Sequence, residues 1–367
     1  MAREAERRGR ERTYGGSLPS VTIKEVASAA SVSVATVSRV LNGKGPVREE
    51  TRRRIRQVAR RLRYVPHGAA RSLITRKTNA LGILLPDLYG EFFSELIRGF
   101  DAAARRSGYH LLVSGSHSDR RETEAMLRAM RGRVDGMIVL SPDLAVQKLR
   151  SNLPQDLPVV LLNSPGHGHV ESISIDNYGG AVAMTRHLLV LGHRRIAFVR
   201  GPARNDDAAE RLRGYREAMR SGRAEWSEGL EIPGDFREET GYEAAARILK
   251  LRPRARAVFA ANDAMAIGLI CAFRERKVQV PEEVALAGFD DVPIARYLTP
   301  PLTSVRVPIA ELGGRAMKRM LQILQKENGR FHGHETLPTT LVVRRSCGAL
   351  SRDGGKDEFL GSKGGAV

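Results

Sequence analysis

From residue 80 onwards the chain alternates short apolar runs with longer amphipathic stretches. Ala80–Leu85, His110–Ser114, Gly136–Leu140, Val159–Leu162, Arg195–Val199, Ala257–Ala261 and Val284–Gly288 read as strands. Glu91–Ser107, Glu122–Arg131, Gly179–Leu191 and Ala208–Ser221 read as helices between them. This βα rhythm predicts parallel sheets covered by helices on both faces. The pattern also repeats. Ile83 matches Ile196, Gly99-Phe100 matches Gly214-Tyr215, Glu124 matches Glu243 and Met137 matches Val258, at separations growing from 113 to 121 residues. Two similar doubly wound lobes with loop insertions follow. They imply a cleft, because such sheets take ligands at the carboxyl ends of their strands.

Ahead of this body the period changes. Thr22-Ile23-Lys24-Glu25 has the form of a capping box, and Ile23, Val26, Ala27 and Ala30 then fall on one helical face. A second short helix starts at Val34 with Ser33 as its cap. Val37, Val40 and Leu41 point inward, leaving Val34, Ala35, Thr36, Ser38 and Arg39 along its start and outer face. Asn42-Gly43-Lys44-Gly45-Pro46 ends it. A third helix, Glu49–Leu62, turns Ile55, Val58, Ala59 and Leu62 inward and Arg52, Arg53, Arg56 and Arg60 mostly outward. Two short helices joined by three residues and braced by a third form a helix-turn-helix, whose second helix enters the major groove of DNA. The competing reading is a small three-helix bundle with a solvated basic face.

Charge favours the first reading. The 367 residues hold 60 Lys and Arg against 41 Asp and Glu, a formal +19. Residues 1–77 carry +13 of it (19 basic, 6 acidic), and the remaining residues only +6. A basic head on a near-neutral body points to a polyanion-binding module joined to something else. Residues 1–20, mostly Arg and Glu before a Gly-Ser-Pro end, read as a disordered basic tail. Two cysteines, Cys271 and Cys347, exclude a disulfide framework. No apolar run reaches the ~18 residues of a membrane span, and no secretory signal is visible. A cytoplasmic protein that does not touch the membrane is expected.

Val21-Thr22-Ile23-Lys24-Glu25-Val26-Ala27, followed by Val32-Ser33-Val34-Ala35-Thr36-Val37-Ser38-Arg39-Val40-Leu41-Asn42, closely resembles the amino-terminal signature of lac-repressor-family regulators. The match continues through Tyr64-Val65-Pro66 and Ala69-Ala70-Arg71-Ser72-Leu73, which is similar to that family's hinge helix. The resemblance implies DNA contacts from Thr22, Ser33, Val34, Ala35, Thr36, Ser38, Arg39, Asn42, Ala70 and Leu73. Leu73 would stand as a wedge between base steps of the minor groove. Taken without the resemblance, Leu73 reads as a linker residue packing on the next domain. The chain departs from the family pattern at Ser31 for a turn Gly, Arg48 for a capping Ser and His67 for Asn.

The resemblance covers residues 20–345. Gly192-His193-Arg194-Arg195-Ile196-Ala197, Ala261-Asn262-Asp263, Gly288-Phe289-Asp290-Asp291 and Leu298-Thr299-Pro300-Pro301-Leu302-Thr303 resemble further family signatures. It implies a small all-α helix-turn-helix head and an α/β periplasmic-binding-protein-like body of two doubly wound parallel-sheet lobes, with three crossings between lobes. The expected organisation is a tail at 1–20, a DNA-binding domain at 21–65 and a hinge at 66–77. An effector-binding and dimerisation body at 78–345 and a flexible tail at 346–367 complete it.

A polyol needs planar donors and acceptors for its hydroxyls and flat apolar surfaces for its ring. Strand-end loops offer Asp87 with Phe92 and Phe93, Asn205 with Arg211, Phe236, Asn262 and Asp290, with Asp176 as a further candidate. The resemblance supports Phe92, Phe93, Arg211, Phe236, Asn262 and Asp290 most directly. Phe92 and Phe93 equally suit a helix core, Asn262-Asp263 a helix cap and Arg211 a solvated helix charge.

Gly166-His167-Gly168-His169 and His332-Gly333-His334 lack a clear third ligand, so no metal is expected. No phosphate loop, GxSxG elbow or cofactor motif is present, so no cofactor and no enzyme is expected. The Asp206-Asp207 and Asp290-Asp291 pairs are adjacent and point alternate ways. The reading is a homodimeric, sequence-specific DNA-binding regulator, a repressor of carbohydrate-related genes that binds a pseudo-palindromic double-stranded operator. A small molecule between the lobes, a sugar or sugar derivative, controls it. The alternatives are a regulator answering to a purine or other co-repressor, a solute-binding protein, and a sugar-processing enzyme with an appended head.

Overall fold

The structure is a computed structural model describing residues 21–43, 45–64, 77–117, 119–140, 151–154, 156–164, 170–325 and 333–349. The chain separates into two compact units, Met1–Thr78 and Asn79–Val367.

In the first unit, α1 (Ile23–Ala29), α2 (Val34–Leu41) and α3 (Glu49–Arg61) pack around Val26, Ala27, Val37, Val40, Ile55 and Val58. The capping box at α1 is formed: the Glu25 amide donates to Thr22 Oγ1, and the Thr22 amide donates to Glu25 Oε2 at 2.6 Å. Ser33 caps α2 by accepting from the Thr36 amide at 3.2 Å. Ser31, which stands for a turn Gly of the family pattern, takes φ 50° between them, a left-handed conformation that costs a side chain on the order of 1 kcal/mol. Arg48 makes no side-chain cap on α3, whose first turn holds Glu49 and Glu50 against the positive helix end.

The second unit contains two six-stranded sheets. The first comprises β1 (Ala80–Leu85), β2 (His110–Gly115), β3 (Gly136–Leu140), β4 (Val159–Leu162), β5 (Glu171–Ile175) and β11 (His334–Leu337), in the order β11-β5-β4-β3-β1-β2. The second comprises β6 (Ile196–Val199), β7 (Glu231–Ile232), β8 (Ala257–Ala260), β9 (Ala285–Asp290), β10 (Thr303–Arg306) and β12 (Thr340–Val342), in the order β12-β10-β9-β8-β6-β7. The orders correspond strand for strand, and Ile83 and Ile196 both lie in the first strand of their sheet. All described pairings are parallel except β10 with β12.

Helices α4 (Glu91–Arg106), α5 (Arg120–Ala129) and α10 (Ile309–Gln325) belong to the first lobe. Helices α6 (Asn177–Val190), α7 (Asp206–Ser221), α8 (Glu238–Lys250) and α9 (Asp263–Glu275) belong to the second. The chain crosses between lobes after β5, between β10 and α10, and between β11 and β12. Gly99 on α4 meets the backbone of Ala310 on α10, where any Cβ would collide.

The packing runs past the end expected for the body. A short 3-10 turn, Arg345–Cys347, buries Ser346 and Cys347, and the Ser346 hydroxyl donates to the Leu286 carbonyl at 2.6 Å. A flexible tail beginning at 346 is therefore corrected: residues 346–349 are part of the second lobe. Among the described residues no helix is long and apolar enough to cross a membrane. Among the described residues no group of three His, Cys, Asp or Glu is placed to hold a metal ion.

Candidate functional site

Helix α2 presents an outward row in the first unit. Val34 is 40% exposed, and Ala35 and Arg39 are also exposed. The other candidates on this face have internal partners. Ser33 and Thr36 share a hydroxyl contact at 2.9 Å, and Asn42 donates to Ser38 Oγ at 3.2 Å. Thr22 is exposed but committed to its capping box. Ala70 and Leu73 lie outside the described residues.

In the second unit a cavity of about 500 Å³ lies between the lobes, within the usual range for small-molecule sites. Its walls are carboxyl ends of strands. Asp87 follows β1 and Asn163 follows β4. In the other lobe Asn205 follows β6, Phe236 follows β7, Asn262 follows β8 and Asp290 ends β9. The first lobe adds Phe92 and Phe93, whose rings meet edge-on at 5.5 Å. Eight of the nine effector candidates line this cavity: Asp87, Phe92, Phe93, Asn205, Arg211, Phe236, Asn262 and Asp290.

Asp176 is the exception and is corrected. Its carboxylate accepts from the Gly179 amide at 2.7 Å, capping α6 away from the cavity.

At the centre sits Arg211, buried on α7. Its Nε donates to Asn177 Oδ1 at 2.8 Å, Nη1 donates to the Ala261 carbonyl at 2.6 Å, and Nη2 lies 3.1 Å from Asp290 Oδ1. Its guanidinium lies 3.8 Å from the centre of the Phe289 ring and 5.5 Å from that of Phe236, a cation–π arrangement. Asp207, one turn earlier on the same helix face, accepts from Asn163 and Asn177, each at 2.7 Å. Burial raises the carboxyls of Asp207 and Asp290 to about 6, with Arg211 opposing the rise. Asp263, behind them, is raised well above the ordinary range by burial and by Asp290.

Several residues here adopt backbones that side chains rarely take. Asn163 has φ 49°, Phe236 74° and Asp290 109°. Such strain, typically ~1–3 kcal/mol per residue, collects where a site holds side chains in set directions. Gly201 helps place Phe236, since a Cβ there would collide with its ring. Asn205 and Asn262 cap α7 and α9 by accepting from the Ala208 and Met265 amides, so Asn262 is a helix cap that also lines the cavity.

The sequence reading passed over Asn163 and Asp207. Asn163 follows a buried strand end, as Asn262 does. Asp207 stands four residues before Arg211, a spacing that puts both on one helix face, while its adjacency to Asp206 drew attention away. Two contacts also span the cleft mouth: the Ile294 amide donates to Glu91 at 3.0 Å, and Arg237 lies 3.7 Å from Asp87.

The family pattern described as bacterial regulatory proteins, lacI family, matches residues 22–67, and that of a periplasmic binding protein-like domain matches residues 185–347. The ribose operon repressor of Escherichia coli (strain K12) is 34% identical over 300 residues, covering 81% of this chain and 91% of that protein. The HTH-type transcriptional repressor PurR of Klebsiella pneumoniae is 34% identical over 331 residues, 89% of this chain and 96% of that one. The lac repressor dimer, solved with operator and the anti-inducer ONPF, superposes with a TM-score of 0.81 at 26% identity, covering 89% of this chain and 99% of that one. A helix-turn-helix with an exposed second-helix face, two matched parallel-sheet lobes around a cavity, and relatives aligned along almost their whole length lead to one conclusion: the chain belongs to the lacI family of transcriptional repressors, DNA-binding proteins with an effector-binding body.

Proposed function

We propose that the chain represses carbohydrate-related genes in the cytoplasm as a homodimer on a pseudo-palindromic operator, and that a sugar or sugar derivative between its lobes sets operator affinity. The observation that carries this reading is the cavity: aromatic rings face it from both lobes, and Arg211 and Asp290 stand between them. Phe92, Phe93 and Phe236 supply flat surfaces for a sugar ring, and Asp87, Asn205, Asn262 and Asp290 supply polar contacts for its hydroxyls. Val34 and Ala35 offer apolar contact to thymine methyls, and Arg39 a hydrogen bond to a guanine edge. Thr22, Ser33, Thr36, Ser38 and Asn42 flank that face and position it on the backbone, with Ala70 and Leu73 assigned to the minor groove.

A ribose operon repressor among the relatives, and a cellobiose complex of the regulator CelR among the similar structures, support a sugar. The reading is tested by thermal unfolding of the full chain against sugars, sugar acids and purines, because a ligand of the folded state stabilises it by mass action. Stabilisation by a sugar that also changes affinity for duplex DNA is the expected result. Stabilisation by purines alone would replace the sugar.

A further inference from the structure

The hydrogen-bonding groups of the cavity are unevenly engaged. On the donor side, every nitrogen of Arg211 already faces a protein oxygen, Asn163 Nδ2 donates to Asp207, and Asn262 Nδ2 donates to the Phe236 carbonyl at 2.9 Å. On the acceptor side, Asn163 is 8% exposed, lines the cavity and has no partner for its Oδ1 among the described residues. A buried acceptor without a donor is costly, and a ligand that brings one removes the cost.

Charge tilts the same way. Among the described residues, Asp87, Glu91, Asp207, Asp235, Glu238 and Asp290 line the cavity against two guanidiniums, those of Arg211 and Arg237. Near its centre Asp207 and Asp290 share the single Arg211. A phosphate or carboxylate entering this space brings only acceptors, and these cannot satisfy Asn163 Oδ1. It also brings a negative charge beside carboxylates that burial has taken out of water, where like charges repel most strongly. A hydroxyl donates to Asn163 Oδ1 without adding charge. An ammonium does the same and balances the second carboxylate.

We propose that this cleft takes a small polyol bearing no anionic group, and that an ammonium-bearing polyol is held more tightly than its hydroxyl parent. The proposal rests on the sugar reading above and narrows it to a charge class. Asn163 and Asp207 set the selectivity: Asn163 receives the ligand's donor, and Asp207 orients Asn163 through their 2.7 Å contact and supplies the field.

The test is calorimetric titration of the full chain with matched sugars: neutral mono- and disaccharides, and their amino, uronic acid and phosphate forms. A neutral sugar should bind, its amino form more tightly, and its acid and phosphate forms weaker by about tenfold or more; an amino form no tighter than its parent would overturn the ammonium preference. Asp207→Asn, checked for unaltered unfolding temperature, should narrow the gap between neutral sugar and phosphate by about tenfold. A phosphate or acid binding more tightly than its neutral parent would overturn the charge class while leaving a sugar-controlled regulator in place. A gap unchanged in Asp207→Asn would overturn the assignment to this carboxylate. Binding of no sugar, with purines binding instead, would remove the sugar reading and this inference together.

Discussion

The DNA-reading face and the effector cleft solve opposite problems. On α2 the side chains that hold the fold and those offered to DNA are mostly different residues: Val37 and Val40 are buried, whereas Val34, Ala35 and Arg39 are exposed. In the cleft the same side chains do both. Arg211 is at once the centre of the cavity wall and the counter-charge for Asp207 and Asp290, and Asn262 is both lining and helix cap. At Val34, Ala35 and Arg39 the proposed DNA contact is therefore separable from stability, whereas the proposed effector contacts of the cleft are not.

The sharpest break of this comparison is Arg211→Ala. It leaves two buried carboxylates without their cation, a loss on the order of 3–5 kcal/mol for a broken buried pair. Urea unfolding of the body should register that loss, and effector binding should vanish. An unfolding midpoint equal to wild type would show that Arg211 has no structural share. Arg39→Ala should do the reverse. Specific DNA binding weakens by about 1–3 kcal/mol if Arg39 reads a base, with no change in unfolding; an equal loss on all duplexes reassigns it to phosphate. Ser33→Ala stands between them, since its hydroxyl caps α2. About 1 kcal/mol of head stability should go with it, read from thermal unfolding of the full chain followed in the head.

The smallest effect is in pH. Asp207 and Asp290 titrate near about 6 in the folded protein, above the ordinary 3.8. Between those values the folded chain holds more protons than the unfolded one. Their contribution to stability is therefore fully present below the ordinary value and is lost as pH rises through about 6. A ligand that donates to these carboxylates prefers them ionised. Its affinity should rise several-fold from about pH 5 to about pH 7.5, and a flat profile by calorimetry would remove both from the ligand's surroundings.

The same contrast explains what was legible in the sequence. The head declared itself through helical period, caps and a short family signature, because its residues are adjacent in the chain. The two lobes showed through repeated βα periodicity, and strand ends located most of the cavity. The less hydrophobic strands were missed: Glu171–Ile175 carries polar residues at alternate positions, and β11 and β12 lie at sheet edges. Asn163 and Asp207 were missed because their partnership joins residues 44 positions apart and exists only across the cleft. Asp176 was included because strand-end carboxylates serve cavities and helix caps alike; it caps α6 and, unlike Asn205 and Asn262, does not also line the cavity.

The central claim is that a small molecule in the cleft controls DNA affinity, and it is tested most directly by titrating the full chain with a duplex selected from a random pool, with and without saturating effector. Affinity should shift by about 5–150-fold, a coupling of ~1–3 kcal/mol, and the same factor should appear in effector affinity measured with and without DNA. Unaltered DNA affinity while calorimetry shows the cleft occupied would contradict the account.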